Sequence, residues 1–354
     1  MTHVISVPNV NIALPTGIAY LKEHGIREDS RNGAVLVAPG PVITEYQYPM
    51  ERVLMDAMRD ANPFFHLLES LWMLAGRNDV KFPAHYAANI ASFSDDGVTV
   101  AGAYGDRWIN RFGYNQLPVI IAELRHNPKS RRCVLTMWDA YGSDSQANVS
   151  FPADLTLAMN GGKDVPCNTH VYFDTTGGVL NMTVCCRSND MVWGAYGANA
   201  VHFSFLHEYV ARAAGMVQGV YRQFSNNFHA YIERPDTVKL FEEDMSEIGN
   251  PYDITGCGGT SYPLISTDVD TWDTGLELFF STWDSGDFER MKKLNFRDPF
   301  FPDVVVPLVM AHKFFKEKRW EEAMDSAVDC QAWDWSLNAT QWIKRRQIKS
   351  EATK

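Results

Sequence analysis

Apolar and polar positions follow two rhythms along the first two-thirds of the chain. Residues 50–76, MERVLMDAMRDANPFFHLLESLWMLAG, carry apolar side chains at helical spacing. Asn62-Pro63 opens the second half of that stretch like a helix N-terminus, and Gly76 closes it. A further helix is predicted over 115–126, ending near His126-Asn127-Pro128. The alternating, β-branched run RRCVLTMWD (131–139) predicts a strand. Strands over 170–174 and 179–187 are joined by a Thr176-Gly177-Gly178 turn. Residues 199–216 predict an amphipathic helix ended by Gly215, and 218–233 a strand running into a short helix. Beyond about residue 235 the pattern weakens. Residues 247–287, rich in Gly, Asp, Ser and Thr, read as long loops, and helical periodicity returns over 304–346. The expected division is a core over 1–235 and a loop-rich, helical C-terminal extension over 236–354.

Composition narrows the functional classes. With 354 residues, 45% hydrophobic and 21% charged, the chain can bury a sizeable core. It has no basic, apolar leader and no run of eighteen apolar residues, so neither secretion nor a membrane span is expected. Six irregularly spaced cysteines without a C-x-x-C pair point to reduced thiols in a cytoplasm. His207-Glu208 lacks the second histidine of a zinc-protease helix, Ala211 standing there, so no metal is expected. A net charge of −11 argues against a nucleic-acid surface. Phosphate loops of the G-x-x-x-x-G-K-[ST] and G-x-G-x-x-G types are absent. An anionic ligand would therefore be small and held by a few arginines.

Four local features carry candidate chemistry: Arg131-Arg132, Pro166-Cys167, Arg187-Ser188-Asn189-Asp190 and His229-x-Tyr231. Each has an ordinary explanation when alone. Paired arginines before a strand are usually a solvated edge, and a lone cysteine is usually a small buried hydrophobe. In this order and at these spacings they are far more specific. They resemble the thymidylate synthase family, which includes phage deoxycytidylate and deoxyuridylate hydroxymethylases. The resemblance covers roughly residues 27–233. It is strongest over 164–231, through DVPCNTHVYF, CRSNDMVWG, NAVHFSFLHEY and NFHAYI. HLLESLWMLAG resembles the family's glutamate-bearing helix, and AGAYGDRW (101–108) its tyrosine loop.

The resemblance implies an α/β fold, a large mixed sheet flanked by helices, in a symmetric homodimer. Cys167 would attack carbon 6 of a pyrimidine, making carbon 5 enolate-like; that needs a thiolate, which Arg187 would favour. Arg31, Arg131, Arg132 and Arg187, with Ser188, match the 5′-phosphate site, the double arginine reaching in from the other subunit. His229 and Tyr231 match the residues bonded to the sugar 3′-hydroxyl, and Asp190 the aspartate that contacts a folate's pterin. Glu69 matches the catalytic glutamate, which manages protons through ordered water. Tyr104 would shape the site beside Cys167, and reads equally as a core aromatic. Asn199 matches the residue that reads the base: asparagine for uracil, aspartate for cytosine. One extra residue lies between Gly194 and Asn199, and a plain helix N-cap is the other reading of Asn199.

Two departures bear on the product. Thymidylate synthases carry tryptophan ahead of the tyrosine loop, where this chain has NIASFS (89–94) with Ala91 and Ser92. Their apolar C-terminus closes over the site, whereas this chain reads RRQIKSEATK. Both favour water over hydride as the acceptor at the transferred methylene. The expected reaction is hydroxymethylation of dUMP with 5,10-methylenetetrahydrofolate as donor. Thymidylate synthesis and dCMP or CMP hydroxymethylation are the alternatives within the family. Outside it stand a cysteine hydrolase built from Cys167 with His170 or His229, and a non-catalytic nucleotide- or RNA-binding regulator.

Overall fold

The computed structural model describes residues 2–30, 32–144, 150–245, 249–254 and 261–352. Its strands are β1 (His3–Val7), β2 (Ile26–Ser30), β3 (Gly33–Val37), β4 (Val42–Tyr46), β5 (Val134–Thr136), β6 (Ser143–Asp144), β7 (Ser150–Phe151), β8 (Asn168–Asp174), β9 (Leu180–Cys186), β10 (Asn189–Asp190), β11 (Gln218–Ser225) and β12 (Phe228–Tyr231). The main sheet has six strands in the order β1-β4-β11-β9-β8-β5. It is mixed: β1 with β4 and β11 with β9 run parallel, and the other neighbours antiparallel. A second sheet, β10-β12-β3-β2, joins Asn189–Asp190, just past Cys186, to β12 and to β2 and β3 from the start of the chain. The fold is α/β with helices flanking a large mixed sheet, as the sequence led us to expect.

Helix ends follow local chemistry. Asn62 caps Pro63–Leu74 by accepting from Phe65 N, with Pro63 in the first turn. Gly215, in the left-handed region at φ 72°, ends Asn199–Ala214. Asn199–Ala214 lies against β9 and β11, and Pro63–Leu74 packs on it. Fully buried His207 ties that helix to β9 through Nε2, 2.7 Å from the Leu180 carbonyl. Burial pushes its imidazole down to about 4, so it is neutral and Nε2 carries the donated proton.

Several expectations need correction. Residues 50–62 are not helical: the Asn11 amide takes up Val53 O and Met55 N, and Asp60 turns the chain at φ 49°. The strand over 131–139 shrinks to Val134–Thr136, because side chains answer the flanking backbone. Gln116 bonds both polar groups of Thr136, and Arg107 takes the Met137 carbonyl. The short helix expected after β11 is β12, paired with β3 and β10. The loops expected over 247–287 include the 17-residue helix Val269–Ser285, capped by Asp268 and ended at Gly286. Val269, Trp272, Leu276, Phe279, Phe280 and Trp283 are its inward stripe.

The C-terminal helices Val306–Lys316, Trp320–Val328 and Trp333–Ala352 share one core with the rest. Trp342 meets Phe64 edge-on at 5.4 Å, and Phe280 stands 4.9 Å from Phe82. The opposite face of the main sheet carries a cross-strand row of Val134, Tyr172, Thr183, Arg222, Glu45 and Ser6. Val134 and Tyr172 in that row are exposed.

The short helix Tyr104–Ile109 is fixed by a buried ion pair. Arg107 grips Asp154 with two bonds of 2.7 and 2.8 Å and also bonds Ala101 O and Met137 O. Neither side chain reaches solvent. Gly105 is required beside it, since a Cβ there would meet Met73 O at 1.9 Å. Removing one partner of a buried pair leaves the other charge unanswered. Asp154→Ala should therefore lower the unfolding free energy by about 3–5 kcal/mol, read as a lower urea midpoint. Arg319→Ala, which breaks an exposed pair with Glu322, should leave the midpoint in place.

Candidate active site

Cys167 is half-buried at the head of β8. Arg187, just past β9, closes on the chain leading into it. Arg187 N donates to Cys167 O at 2.8 Å, Nε to Pro166 O at 3.0 Å and Nη2 to Val165 O at 2.9 Å. A guanidinium thus sits on the two carbonyls that precede the thiol. Tyr104 Oη accepts from Asn168 N at 3.3 Å. Burial, and then the neighbouring Cys167 and Cys186, hold the Tyr104 phenol well above its ordinary value. It therefore stays protonated and keeps a proton to donate. Cys186 itself is buried and donates from Sγ to Ser188 O; burial raises its thiol, which is inert.

Asn199 belongs to a buried relay of amides. Tyr221 Oη donates to Asn199 O at 3.2 Å and accepts from Gln223 Nε2 at 2.9 Å. Asn189 Nδ2 donates to Gln223 Oε1 and to Ser225 Oγ, both at 2.9 Å. Asn199 Nδ2 donates to Asn189 Oδ1, and Asn168 Nδ2 donates to Asn199 Oδ1, both at 3.1 Å. A carbonyl can only accept, so Asn199's own main-chain oxygen sets the direction of every bond in the circuit. The Asn199 amide cannot flip without breaking it. One Nδ2 proton and one Oδ1 lone pair remain for a ligand. That is one donor and one acceptor, the complement of uracil's O4 and N3–H.

The segment before Asn199, Met191–Ala198, winds in π-type turns with a kink at Tyr196 and Gly197, and Asn199 opens the α-helix that follows. The residue in the cap position is Ala198, and the Asn199 side chain serves the relay rather than capping. Gly194 makes room for it, since a Cβ would stand 2.7 Å from Asn189 Oδ1.

A cavity of about 890 Å³ opens beside these groups. Glu69, Tyr104, Asp164, Asn199 and His202 share its wall. His202 Nε2 comes within 3.0 Å of Glu69 Oε2. The contact lies off a hydrogen-bond axis, and this buried nitrogen has no hydrogen-bond partner among the described residues. Asp164 accepts from Gly102 N, and burial raises its carboxyl. Trp72, Phe93 and Trp193 supply aromatic surface. Arg59 lies over Trp193 at 4.3 Å and donates to Val192 O. The helix Trp333–Ala352 forms another part of the wall with Trp342, Arg345, Arg346 and Lys349.

Cys167 and Arg187 do not line this cavity, although Tyr104 beside Cys167 does, and other residues singled out in the sequence lie apart from its wall too. Arg131 and Arg132 are exposed ahead of edge strand β5. Ser188 is half-buried between β9 and β10. Asp190 caps the π-helix, accepting from Val192 N and Trp193 N at 2.8 and 3.2 Å. On β12, His229 stands opposite Asp190 and bonds Asn227 through Nδ1 at 2.8 Å. Burial pushes its imidazole down, with Asp190 pulling the other way. Tyr231 is held edge to face with His229, under Arg234 at 4.1 Å. Arg31 lies outside the described residues. Sequence reasoning missed the relay partners Asn168, Asn189, Tyr221 and Gln223. It also missed His202, although three residues past Asn199 on a helix is the same face.

A thymidylate synthase sequence profile matches residues 19–247. A deoxyuridylate hydroxymethyltransferase of Pseudomonas phage M6 is 47% identical over 360 residues, covering 99% of this chain and 96% of that protein. A protein of the same description from Bacillus phage SP01 is 36% identical over 218 residues, 59% of this chain and 53% of its own length. A thymidylate synthase of Symbiobacterium thermophilum is 28% identical over 187 residues, 49% of this chain and 60% of its own. The profile spans more than half of the chain and the M6 likeness nearly all of it, so the chain belongs to the thymidylate synthase family of one-carbon transferases.

Proposed function

We propose that this chain is a folate-dependent hydroxymethylase that converts dUMP to 5-hydroxymethyl-dUMP through a covalent adduct at Cys167. The observation that carries the reading is the orientation-locked Asn199 amide on the cavity wall, in a chain alike end to end to a protein described as a deoxyuridylate hydroxymethyltransferase. Cys167 adds to carbon 6 of the base, and Arg187 keeps positive charge beside the thiolate. Asn199 offers its remaining N–H to O4 and its remaining lone pair to N3–H. Tyr104, kept protonated by burial, and Glu69 manage the proton that leaves carbon 5. His229 and Tyr231 take the sugar 3′-hydroxyl, and Ser188 with Arg187 the 5′-phosphate.

The cavity fits a folate. It is roomy and aromatic-walled, with Trp193 stacked on Arg59 near Asp190, the residue proposed to meet the pterin. When bound, 5,10-methylenetetrahydrofolate supplies the carbon at the oxidation level of formaldehyde. The role proposed for residues 236–354 is to build part of this site. Trp342 and its neighbours line the wall, and Asp60 holds the helix there through Arg345 and Arg346, each at 2.9 Å. The acceptor is water. Glu69, Asp164 and His202 make this wall polar, and polar groups in a cavity hold water.

The half-exposed sheet face is the proposed homodimer contact, and Arg131 and Arg132 the residues sent into the partner's phosphate site. No helix among the described residues is long and apolar enough to cross a membrane.

Product analysis tests the reaction. Purified protein with dUMP and the donor should release 5-hydroxymethyl-dUMP and tetrahydrofolate, and Cys167→Ala should release neither; dTMP with dihydrofolate would sink the reading. Tyr221→Phe removes the donor that orients the relay. It should narrow the dUMP-over-dCMP preference in kcat/KM by about tenfold, one buried hydrogen bond of ~1.4 kcal/mol. Equal mixing of inactive Cys167→Ala with inactive Arg131→Ala/Arg132→Ala should restore about a quarter of wild-type activity, because half of the dimers then carry one intact shared site. Failure to complement would show that the arginines serve their own subunit or none.

A further inference from the structure

The polar wall includes a side chain whose bonding is incomplete and which has no assigned task. His202 is buried, 4% exposed, in a helix whose other buried polar side chains, Asn199, Ser204, His207 and Glu208, each make a hydrogen bond. A buried nitrogen without a hydrogen bond costs stability unless a ligand or water completes it. Its Nε2 stands 3.0 Å from Glu69 Oε2, out of line, so a water beside the pair, on the cavity side, can bond both. The remaining titratable groups around it are His66, whose ring is 6.3 Å away, and Arg59 behind it. Burial, with His202 and Arg59 adding to it, holds His66 well below its ordinary value, so His66 stays neutral. Asp164 faces Glu69 from the other side. The helix itself supplies the aim. Asn199 and His202 are three residues apart on one face, both on the cavity wall. Uracil's carbon 5 adjoins the C4 carbonyl that Asn199 would read, so a group one turn further on can reach a substituent at carbon 5.

We infer that His202, held against Glu69, is the base that activates the water which adds to the one-carbon unit on the nucleotide. The inference rests on the hydroxymethylase reading. After the folate has left, the nucleotide carries an exocyclic methylene at carbon 5 and Cys167 sulfur at carbon 6. Water oxygen bonds to the methylene carbon as a proton passes to His202 Nε2. The methylene π-pair moves into the C4 enolate. That enolate then reforms the C5=C6 double bond as the C6–S bond breaks, returning Cys167 to thiolate. The proton taken from carbon 5 and the one taken from water balance the two that tetrahydrofolate carries away on its nitrogens. Glu69 keeps the ring in place and stabilises the transient imidazolium.

The reverse step gives a test without folate. Wild-type enzyme incubated with 5-hydroxymethyl-dUMP in ¹⁸O-water should exchange the hydroxymethyl oxygen. Cys167 adds to carbon 6, His202 returns a proton to the departing oxygen, and labelled water adds back. His202→Ala and His202→Gln should both slow this exchange by about a hundredfold or more, with dUMP Kd unchanged within threefold. In the full reaction they should still release tritium from 5-tritiated dUMP, with the methylene diverted to a thioether by added 2-mercaptoethanol. Gln fills the space and can hydrogen-bond but cannot take a proton, so recovery of exchange in His202→Gln would mean a structural role and overturn the inference. Wild-type exchange rates in either variant would overturn it too. A wild-type protein that makes dTMP and exchanges no oxygen would instead overturn the reading beneath it. The decision is read from whichever variant retains dUMP binding.

Discussion

A buried amide must have its hydrogen bonds answered, and the answer found for Asn199 organises this molecule. The circuit from Tyr221 through Gln223 and Asn189 to Asn199 and Asn168 draws on β8, β10, β11 and the head of helix Asn199–Ala214. Each member is worth little alone in water. Inside the core a missing partner leaves a desolvated donor or acceptor at about 1–3 kcal/mol. The strands must therefore keep one register, and the helix one azimuth on the sheet. The same requirement explains the π-helix. Met191–Ala198, wound in π-type turns and kinked at Tyr196 and Gly197, deliver Asn199 to its bond with Asn189. Since Asn168 follows Cys167 directly, the relay also fixes where the Cys167 thiol stands relative to the Asn199 amide.

The cavity around that amide is assembled from elements far apart in the chain. Glu69 comes from the helix Pro63–Leu74 and Tyr104 from a short helix pinned by the Arg107–Asp154 pair. His202 comes from the relay helix, and Trp342 with Arg345 and Arg346 from residues past 330. The last group is held by Asp60, a residue at positive φ in a turn. That turn sits in the stretch whose apolar spacing promised a helix. A local preference was overridden by one carboxylate that pairs two guanidiniums and by Asn11, which takes the Val53 and Met55 backbone groups.

What could be read from the sequence was what local chemistry decides. Asn62-Pro63 and Gly215 mark helix ends because caps act within a few residues. The hairpin β8–β9 was visible because its turn and its alternation are contiguous. Cys167, Arg187, Glu69 and Asn199 stood out through spacing and context. The strand β12 was invisible, because Phe228–Tyr231 is defined by partners on β3 and β10 rather than by its own pattern. The helix Val269–Ser285 had its apolar stripe in plain view, but Gly, Ser, Thr and Asp around it suggested loops. Asn168, Tyr221 and Gln223 carry no signature at all, and Asn189 was visible only as a member of the Arg187–Asp190 motif, without a role. They are ordinary polar residues until the fold brings them together, and only a count of buried donors and acceptors reveals them.

On the hydroxymethylase reading, the choice between water and hydride follows from what lines the cavity. Hydride transfer needs a reactive methylene kept dry until the donor delivers. An apolar aromatic wall does that, since dry apolar space holds no water. Here the stretch over 89–94 contributes Asn89, Ile90 and Phe93, and the cavity's indoles stand on other elements, at Trp72, Trp193 and Trp342. Sharing the wall with the Asn199 amide are the Glu69 carboxyl, the His202 imidazole with an unanswered nitrogen, and a buried carboxyl at Asp164 that burial tilts toward its protonated form. Such groups cannot be left unsolvated at low cost. They bring water to the place where a carbon electrophile would form, and an imidazole that can take its proton is already there. In this wall the groups that would have to be dried to make a methyl product are the same ones that make a hydroxymethyl product fast.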